Sequence, residues 1–184
     1  MAAARARQAG REDPVEKGVM NLYLLRHGIA VERGARHYGS DADRPLTNKG
    51  RRKLRRATAA MRAMDLSFDV ILSSPLVRAR QTAELVATAL HCRHRLELTD
   101  LLAPGASATG LLRRLKQLKP QNVLLVGHEP DLSALVSRLL TGGGSLAITL
   151  KKGGLCRLSI ELLRAGPCAS LDWLVTPSQL ESMR

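Results

Sequence analysis

The hydrophobic positions of this chain form short, largely apolar runs that end at polar residues or glycines. Three of them cover Leu22–Leu25, Phe68–Leu72 and Val123–Val126. Apolar runs of four to eight residues closed by a turn signal are typical of strands that are buried on both faces. Patterns that alternate between apolar and polar residues predict two further strands at 155–162 and 170–175, and a brief edge strand is predicted at 95–99.

Segments with helical spacing lie between these strands. The predicted helices begin after Thr47, at Ser74-Pro75 with Ser74 as the N-cap, after Ser107 and at Pro130. The second is expected to end near Leu90, the third near Leu118 and the fourth at Gly142. Strands that alternate with helices predict an α/β fold with right-handed crossovers. We therefore expect three α/β/α layers around a central, mainly parallel sheet.

The length of 184 residues is most simply accounted for by one domain, which we place at residues 20–184. Residues 1–19 are rich in Ala, Arg and Gly and show no hydrophobic period, so we predict a flexible N-terminal tail. Met20 directly precedes the first strand. We hypothesise that it is the true or an alternative start, which an intact mass of the natural protein beginning at Met1 would contradict.

The formal net charge of +13 favours anionic partners such as phosphate esters, nucleic acid or acidic protein surfaces. Aromatic residues make up only 2% of the chain, which argues against nucleic acid because single-strand binders usually stack bases on aromatic rings. The three cysteines form no CxxC pair, which favours a reduced, cytoplasmic protein. No apolar run approaches the length of a membrane span, so no membrane association is expected.

A cluster of polar residues that contains a histidine or an arginine follows each of the three buried strands. They are Arg26-His27-Gly28, Ser73-Ser74-Pro75 with Arg78, and Gly127-His128-Glu129-Pro130. The carboxyl ends of parallel strands share one edge of a sheet, so these groups can converge there. Two imidazoles and two guanidiniums around one point suit a dianionic phosphoryl group. From the residues alone, His27 is either a nucleophile or a general base.

Four motifs in this order and spacing resemble those of the histidine phosphatase (phosphoglycerate mutase-like) superfamily. They are Leu25-Arg-His-Gly28, Arg44-Pro-Leu-Thr47 with Gly50, Ser74-Pro-Leu-Val-Arg-Ala-Arg-Gln-Thr82 and Val126-Gly-His-Glu-Pro130. Because it has no large insertion after the second strand, the chain resembles the small phosphohistidine phosphatases of the SixA type within this superfamily. The resemblance covers residue 20 to the C-terminus and implies a phosphoglycerate mutase-like fold.

The resemblance also implies a role for each residue. His27 is the expected nucleophile, Arg26 and Arg78 bind the phosphoryl oxygens, and His128 completes the pocket. Neither a metal nor another cofactor is expected. The proton donor is open: Glu129 is a candidate, although a carboxylate at a helix N-terminus is stabilised there without any catalytic role. Larger family members use a glutamate after the second helix, and the acids in that region here are Glu84, Glu97 and Asp100.

The function expected from these features is metal-independent hydrolysis of phosphohistidine through a covalent intermediate on His27. Its substrate would be a phosphorylated protein histidine or a small phosphorylated compound. The alternatives are a general phosphomonoesterase or sugar-phosphate phosphatase of the same superfamily, and a non-enzymatic binder of phosphoprotein or nucleic acid. Asp41-Ala42-Asp43 has the DxD pattern of haloacid dehalogenases, but no apolar strand precedes it, so we assign it no role.

Overall fold

A six-stranded sheet forms the centre of the computed structural model, which describes residues 18–34, 38–143 and 145–183. Its strand order is β3-β2-β4-β1-β5-β6. The strands β1 to β4 are mutually parallel where they pair, and β5 runs antiparallel to both of its neighbours. The strands are β1 Met20–Arg26, β2 Val70–Ser73, β3 Leu96–Leu98, β4 Asn122–Gly127, β5 Leu155–Ile160 and β6 Ser170–Val175.

Helices cover both faces of this sheet. They are α1 Asn48–Ala63, α2 Val77–Ala89, α3 Ala108–Leu118, α4 Asp131–Thr141 and α5 Pro177–Ser182. One core cluster joins the sheet to α1, α2 and α5, and the other joins it to α3 and α4. Successive side chains of a strand point to opposite faces, so the apolar central residues of β1 and β4 supply both clusters. The predicted three-layer α/β/α architecture with a mainly parallel sheet is confirmed.

The predicted start of α2 is wrong. Ser74 does not cap the helix, which begins at Val77 with Leu76 as its N-cap. The Ser74 hydroxyl instead accepts the Leu76 N–H and is hydrogen-bonded to a histidine of another strand end, His128. A serine drawn into such a tertiary contact is no longer free to cap the first turn of its own helix.

Other differences concern the ends of elements. The second strand is displaced to Val70–Ser73, and the fifth ends at Ile160 instead of residue 162.

Two short elements were not predicted. The loop after β1 contains a 3-10 helix at Asp41–Asp43, and α5 begins with a capping box at Thr176. Thr47 caps α1 as expected, since its hydroxyl accepts the Gly50 N–H at 3.0 Å.

The flexible tail predicted at residues 1–19 falls almost entirely outside the described residues, which begin at Gly18. The division into a tail and a domain at 20–184 therefore stays a prediction. Cys92, Cys156 and Cys168 are free thiols. Within the described part of the chain, every helix is too short or too polar to cross a lipid bilayer.

Candidate active site

The register of the sheet brings the three polar strand ends together. Arg26 at the end of β1 lies opposite Gly127 of β4, and Ser73 of β2 lies opposite Val126 of the same strand. The backbone pairing continues one residue further, because the His27 N–H donates to the Gly127 carbonyl at 3.1 Å. Three motifs separated by up to 100 residues in sequence therefore meet at adjacent positions of one sheet edge, as the sequence predicted.

His27 is a buried, neutral imidazole with a defined tautomer. Its Nδ1 lies 2.8 Å from the Gly28 carbonyl oxygen. A carbonyl only accepts hydrogen bonds, so Nδ1 carries the proton and Nε2 keeps its lone pair. Burial lowers the pKa of His27 to about 3, and the charges of Arg78 and Arg26 act in the same direction. The residue is 7% exposed, and its neutral ring can act as a nucleophile without first losing a proton.

His128 stands beside His27, with 5.1 Å between the two ring centroids. Its Nε2 is hydrogen-bonded to the Ser74 hydroxyl at 2.9 Å. Burial and the charge of Arg78 lower the pKa of His128 to about 4, although Asp131 and Asp41 oppose the shift. Its Nδ1 is buried and has no hydrogen-bond partner among the described residues, so it is an unsatisfied polar atom of the site.

Two guanidiniums supply the positive charge of the site. Arg78 lies in the first turn of α2 and is 3% exposed, and both of its terminal nitrogens donate to Asp41. Arg26 donates from Nη1 to the Leu150 carbonyl at 2.9 Å. The charges of both arginines lower the pKa of both site histidines. The charged groups are thus held by the protein before any ligand binds, as electrostatic stabilisation requires.

The backbone that follows His27 is held in place by contacts with α2 and α1. The Gly28 N–H donates to the Thr82 hydroxyl at 3.1 Å, and that hydroxyl donates in turn to the Arg78 carbonyl. Gly50 of α1 packs so closely against the chain that an added Cβ would lie 2.1 Å from the Ile29 carbonyl oxygen. A side chain there would push the segment after His27 outward, which accounts for the glycine of this motif.

The acids considered as proton donors differ in their surroundings, and one oxygen of Glu129, Oε1, is buried without a hydrogen-bond partner among the described residues. Glu129 precedes α4 and accepts a hydrogen bond from the Ser133 hydroxyl in the first turn of that helix. Glu84 and Glu97 each form an ion pair with an arginine at the surface. The carboxylates whose charges act on His128 are those of Asp131 and Asp41. A role for Glu129 as proton donor stays a prediction.

Three contacts of this site were not predicted from the sequence. Asp41 binds Arg78, Ser74 binds His128, and the Leu150 carbonyl binds Arg26. Asp41 does carry a local signal, because it stands three residues before Arg44 of the second motif and forms an ion pair with it at 2.8 Å. The partners of Ser74 and Arg26 lie 54 and 124 residues away in sequence, so no local pattern marks them.

This arrangement suits a phosphoryl group held by guanidinium and imidazole groups next to a neutral nucleophile. Among the residues that the structure describes, no group of three or more His, Cys, Asp or Glu side chains is placed to hold a metal ion. Fold and site together thus define a phosphoryl-transfer protein of the three-layer α/β/α class. The sequence model of the histidine phosphatase superfamily (branch 1) matches residues 22–103.

Comparisons with known proteins agree with this class. An uncharacterised protein of a Picosynechococcus strain is 38% identical over 76% of this chain and 84% of its own length. The phosphohistidine phosphatase SixA of Escherichia coli K12 is 29% identical over 88% of this chain and 97% of its own. The solved structure of the protein histidine phosphatase SixA complexed with tungstate has a TM-score of 0.75, with 25% identity and coverage of 88% of this chain and 99% of that one.

The chain belongs to the histidine phosphatase superfamily and is a hydrolase of the phosphatase class. The resemblance stated from the four motifs is confirmed, and so is the phosphoglycerate mutase-like fold that it implied.

The lowered pKa values of the site histidines predict a specific loss of stability in acid. Unfolded histidines bind protons below about pH 6.5, whereas folded His27 and His128 remain neutral down to about 3 and about 4. The unfolded state therefore binds more protons as the pH falls. The free energy of unfolding should decrease by up to about 1.4 kcal/mol per pH unit for each histidine. Urea unfolding at several pH values between about 6 and 4.5 measures this slope.

The variant His27→Gln isolates the contribution of one ring, and its slope should be shallower than that of the wild type. His94→Gln is the matched control, because His94 is exposed and lies outside the site. Equal slopes for His27→Gln and the wild type would show that the pKa of His27 is not lowered in the folded protein.

Proposed function

We propose that this protein is a metal-independent phosphohistidine phosphatase that forms a covalent phosphohistidine on His27. The observation that carries the proposal is the state of His27, a neutral ring whose proton is held on Nδ1 by the Gly28 carbonyl. This leaves the Nε2 lone pair for attack on phosphorus. The similarity to SixA of Escherichia coli supports the substrate class.

The proposed reaction has two displacements at phosphorus. In the first, His27 Nε2 forms a bond to phosphorus while the bond from phosphorus to the substrate imidazole nitrogen breaks. That nitrogen keeps the electron pair, and the substrate ring leaves as a neutral imidazole because its other nitrogen is already protonated. In the second, water attacks phosphorus and the bond to His27 breaks, which releases inorganic phosphate and the neutral ring. Arg26, Arg78 and His128 stabilise the charge of the transferred group in both steps.

The choice of phosphohistidine over a phosphate ester is supported by the acids near the site. An alkoxide leaving group needs a general acid that is protonated near neutral pH, whereas a phosphohistidine ring nitrogen is protonated readily. Although burial raises the pKa of Asp41, the hydrogen bond from Arg33 and the charges of three arginines lower it overall. Asp41, which binds Arg78, is therefore ionised and unsuited to donate a proton.

A protein substrate is supported by the basic face of α1, which carries no acid over the sixteen residues 48–63. Lys53 of this face lines a small crevice with Lys152, Gly28 and Gly153, so the face adjoins the residue after His27. We propose that it binds an acidic surface of the phosphoprotein, because complementary charge accelerates association. The residues of the basic face are Lys49, Arg51, Arg52, Lys53, Arg55, Arg56 and Arg62.

The test of the proposed function is a trapping experiment in EDTA. A protein phosphorylated on histidine with labelled phosphate is mixed with the enzyme, and the reaction is stopped in alkali within milliseconds to seconds. We expect acid-labile label on a peptide that contains His27, followed by release of inorganic phosphate. Rapid phosphate release that EDTA abolishes, or label that never reaches the enzyme during turnover, would contradict the proposal.

A substrate panel separates the phosphohistidine phosphatase from the general phosphatase. The panel contains the phosphoprotein, free phosphohistidine and an alkyl phosphate, measured at low and at high salt. We expect the highest kcat/KM for the phosphoprotein, and a fall with salt for that substrate alone because the basic face binds it. A faster reaction with the alkyl phosphate would favour the phosphomonoesterase alternative.

A further inference from the structure

One carboxylate in the loop after β1 is shared by three arginines. Asp41 Oδ2 accepts from Arg78 Nη2 at 2.9 Å, and Oδ1 accepts from Arg33 Nε at 3.1 Å. Oδ1 also forms an ion pair with Arg44 Nη2 at 2.8 Å. The backbone carbonyl of Asp41 accepts a further hydrogen bond, from Arg78 Nη1 at 2.7 Å. The same residue thus anchors both terminal nitrogens of the Arg78 guanidinium.

This double anchor fixes the plane of the Arg78 guanidinium. Two bonds to one residue define the direction of a planar fork, whereas a single bond leaves it free to rotate. The Arg78 side chain is 4% exposed, while that of Asp41 is 36% exposed, so Asp41 stands at the outer side of the arginine. The remaining N–H groups of Arg78 are left for a ligand.

The carboxylate also keeps three cations close together. Burial lowers the pKa of Arg78, and the charges of Arg44 and Arg33 act in the same direction. The charge of Asp41 and its hydrogen bond raise that pKa and so favour the protonated guanidinium. Without Asp41, three guanidiniums would face one another with no anion between them. The exposed Arg33 can turn into solvent, whereas the buried Arg78 would stay close to Arg44 and would lose the carboxylate that fixes one end of its fork.

We infer that Asp41 is a positioning residue that orients Arg78 toward the phosphoryl group, an inference that rests on the proposed function of the site. Asp41 forms no hydrogen bond to either site histidine among the described residues. Its charge reaches His128 at a distance, whereas its direct bonds to the site are those to Arg78. It is an anchor and does not compete with the substrate, because one of its two bonds to Arg78 comes from its backbone, which no phosphate can replace without moving the loop.

The experiment compares Asp41→Ala and Asp41→Asn with Asp43→Ala. Asp43 belongs to the same 3-10 helix, and its carboxylate accepts from the Ser40 hydroxyl at 2.7 Å and forms no ion pair among the described residues. We expect Asp41→Ala to lower kcat/KM by about 10- to 100-fold and Asp41→Asn to lower it less, because the amide keeps one acceptor. Asp43→Ala should stay within about twofold of the wild type.

A second readout is the affinity for inorganic phosphate, measured by calorimetry on the folded protein. Asp41→Ala should weaken phosphate binding by about tenfold or more, and this measurement does not depend on which substrate the enzyme turns over. A wild type that binds phosphate but leaves phosphohistidine intact would contradict the proposed function alone. Unchanged phosphate affinity in Asp41→Ala would contradict the positioning role.

The decisive control is the same change in an Arg78→Gln background. A residue that acts only through Arg78 has no further effect once that guanidinium is gone, so Asp41→Ala should then change kcat/KM by less than about twofold. If the full loss persists in this background, Asp41 acts independently of Arg78 and the inference is wrong. A gain in activity in either Asp41 variant would likewise overturn it, because it would make Asp41 a competitor of the substrate.

Discussion

The variant His27→Ala is expected to lose turnover of a phosphohistidine protein by about 10⁴-fold or more, the scale seen when an enzyme loses its nucleophile. Alanine keeps the strand end but removes Nε2, the atom that we propose bonds to phosphorus. Arg26, Arg78 and His128 remain and would still bind a phosphoryl group. Phosphate release in EDTA is the measurement, with circular dichroism to confirm that the variant is folded.

The control for this variant is His94→Ala, which removes an exposed imidazole outside the site. It should release phosphate at the wild-type rate. The trapped label should be absent from His27→Ala and present in the control. If phosphate release continues unchanged in His27→Ala, the proposed covalent intermediate on His27 is wrong. This histidine would then have a binding role only.

The second large effect is expected for Arg78→Gln, which should lower kcat/KM by about 10²- to 10³-fold. The change removes a buried positive charge and the fork that Asp41 anchors. Glutamine is shorter and uncharged, and the remaining Arg26 and His128 can still contact a phosphoryl group, so some phosphate binding should survive. Steady-state kinetics with the phosphoprotein measure the loss, and the affinity for inorganic phosphate should fall in parallel.

Arg80→Gln is the matched control, because Arg80 lies on the same helix, is exposed, and forms an ion pair with Glu84 four residues later. An exposed pair of this kind is worth less than about 1 kcal/mol, so the control should keep its activity. A loss of less than tenfold for Arg78→Gln would mean that Arg26 and His128 are sufficient to stabilise the transferred group.

Much of the sheet could be predicted because its strands are local features. β1 and β4 are short apolar runs closed by a polar residue or a glycine, and both faces of the sheet are covered, so their patterns are nearly uninterrupted. Thr47 was identified as a cap because its partner, Gly50, lies only three residues away. Elements of this kind are encoded within a few residues of the chain.

The errors fall where distant residues decide the local structure. The Ser74 hydroxyl is bonded to His128, 54 residues further along the chain, and the helix therefore begins later than its sequence suggests. The 3-10 helix at Asp41–Asp43 is tied to Arg78, 37 residues away. Neither contact has a signature in a local pattern of hydrophobic and polar residues, so neither could be predicted from one.

The sequence by itself determined the layers of the fold and the residue types at three strand ends, because hydrophobic period and turn chemistry are local. It also determined the superfamily, through the order and spacing of four motifs. Only the tertiary structure decided that His27 is neutral with its proton on Nδ1, because burial and neighbouring charges set the pKa. It also decided that Asp41 holds Arg78, because that contact depends on how a loop folds against a helix.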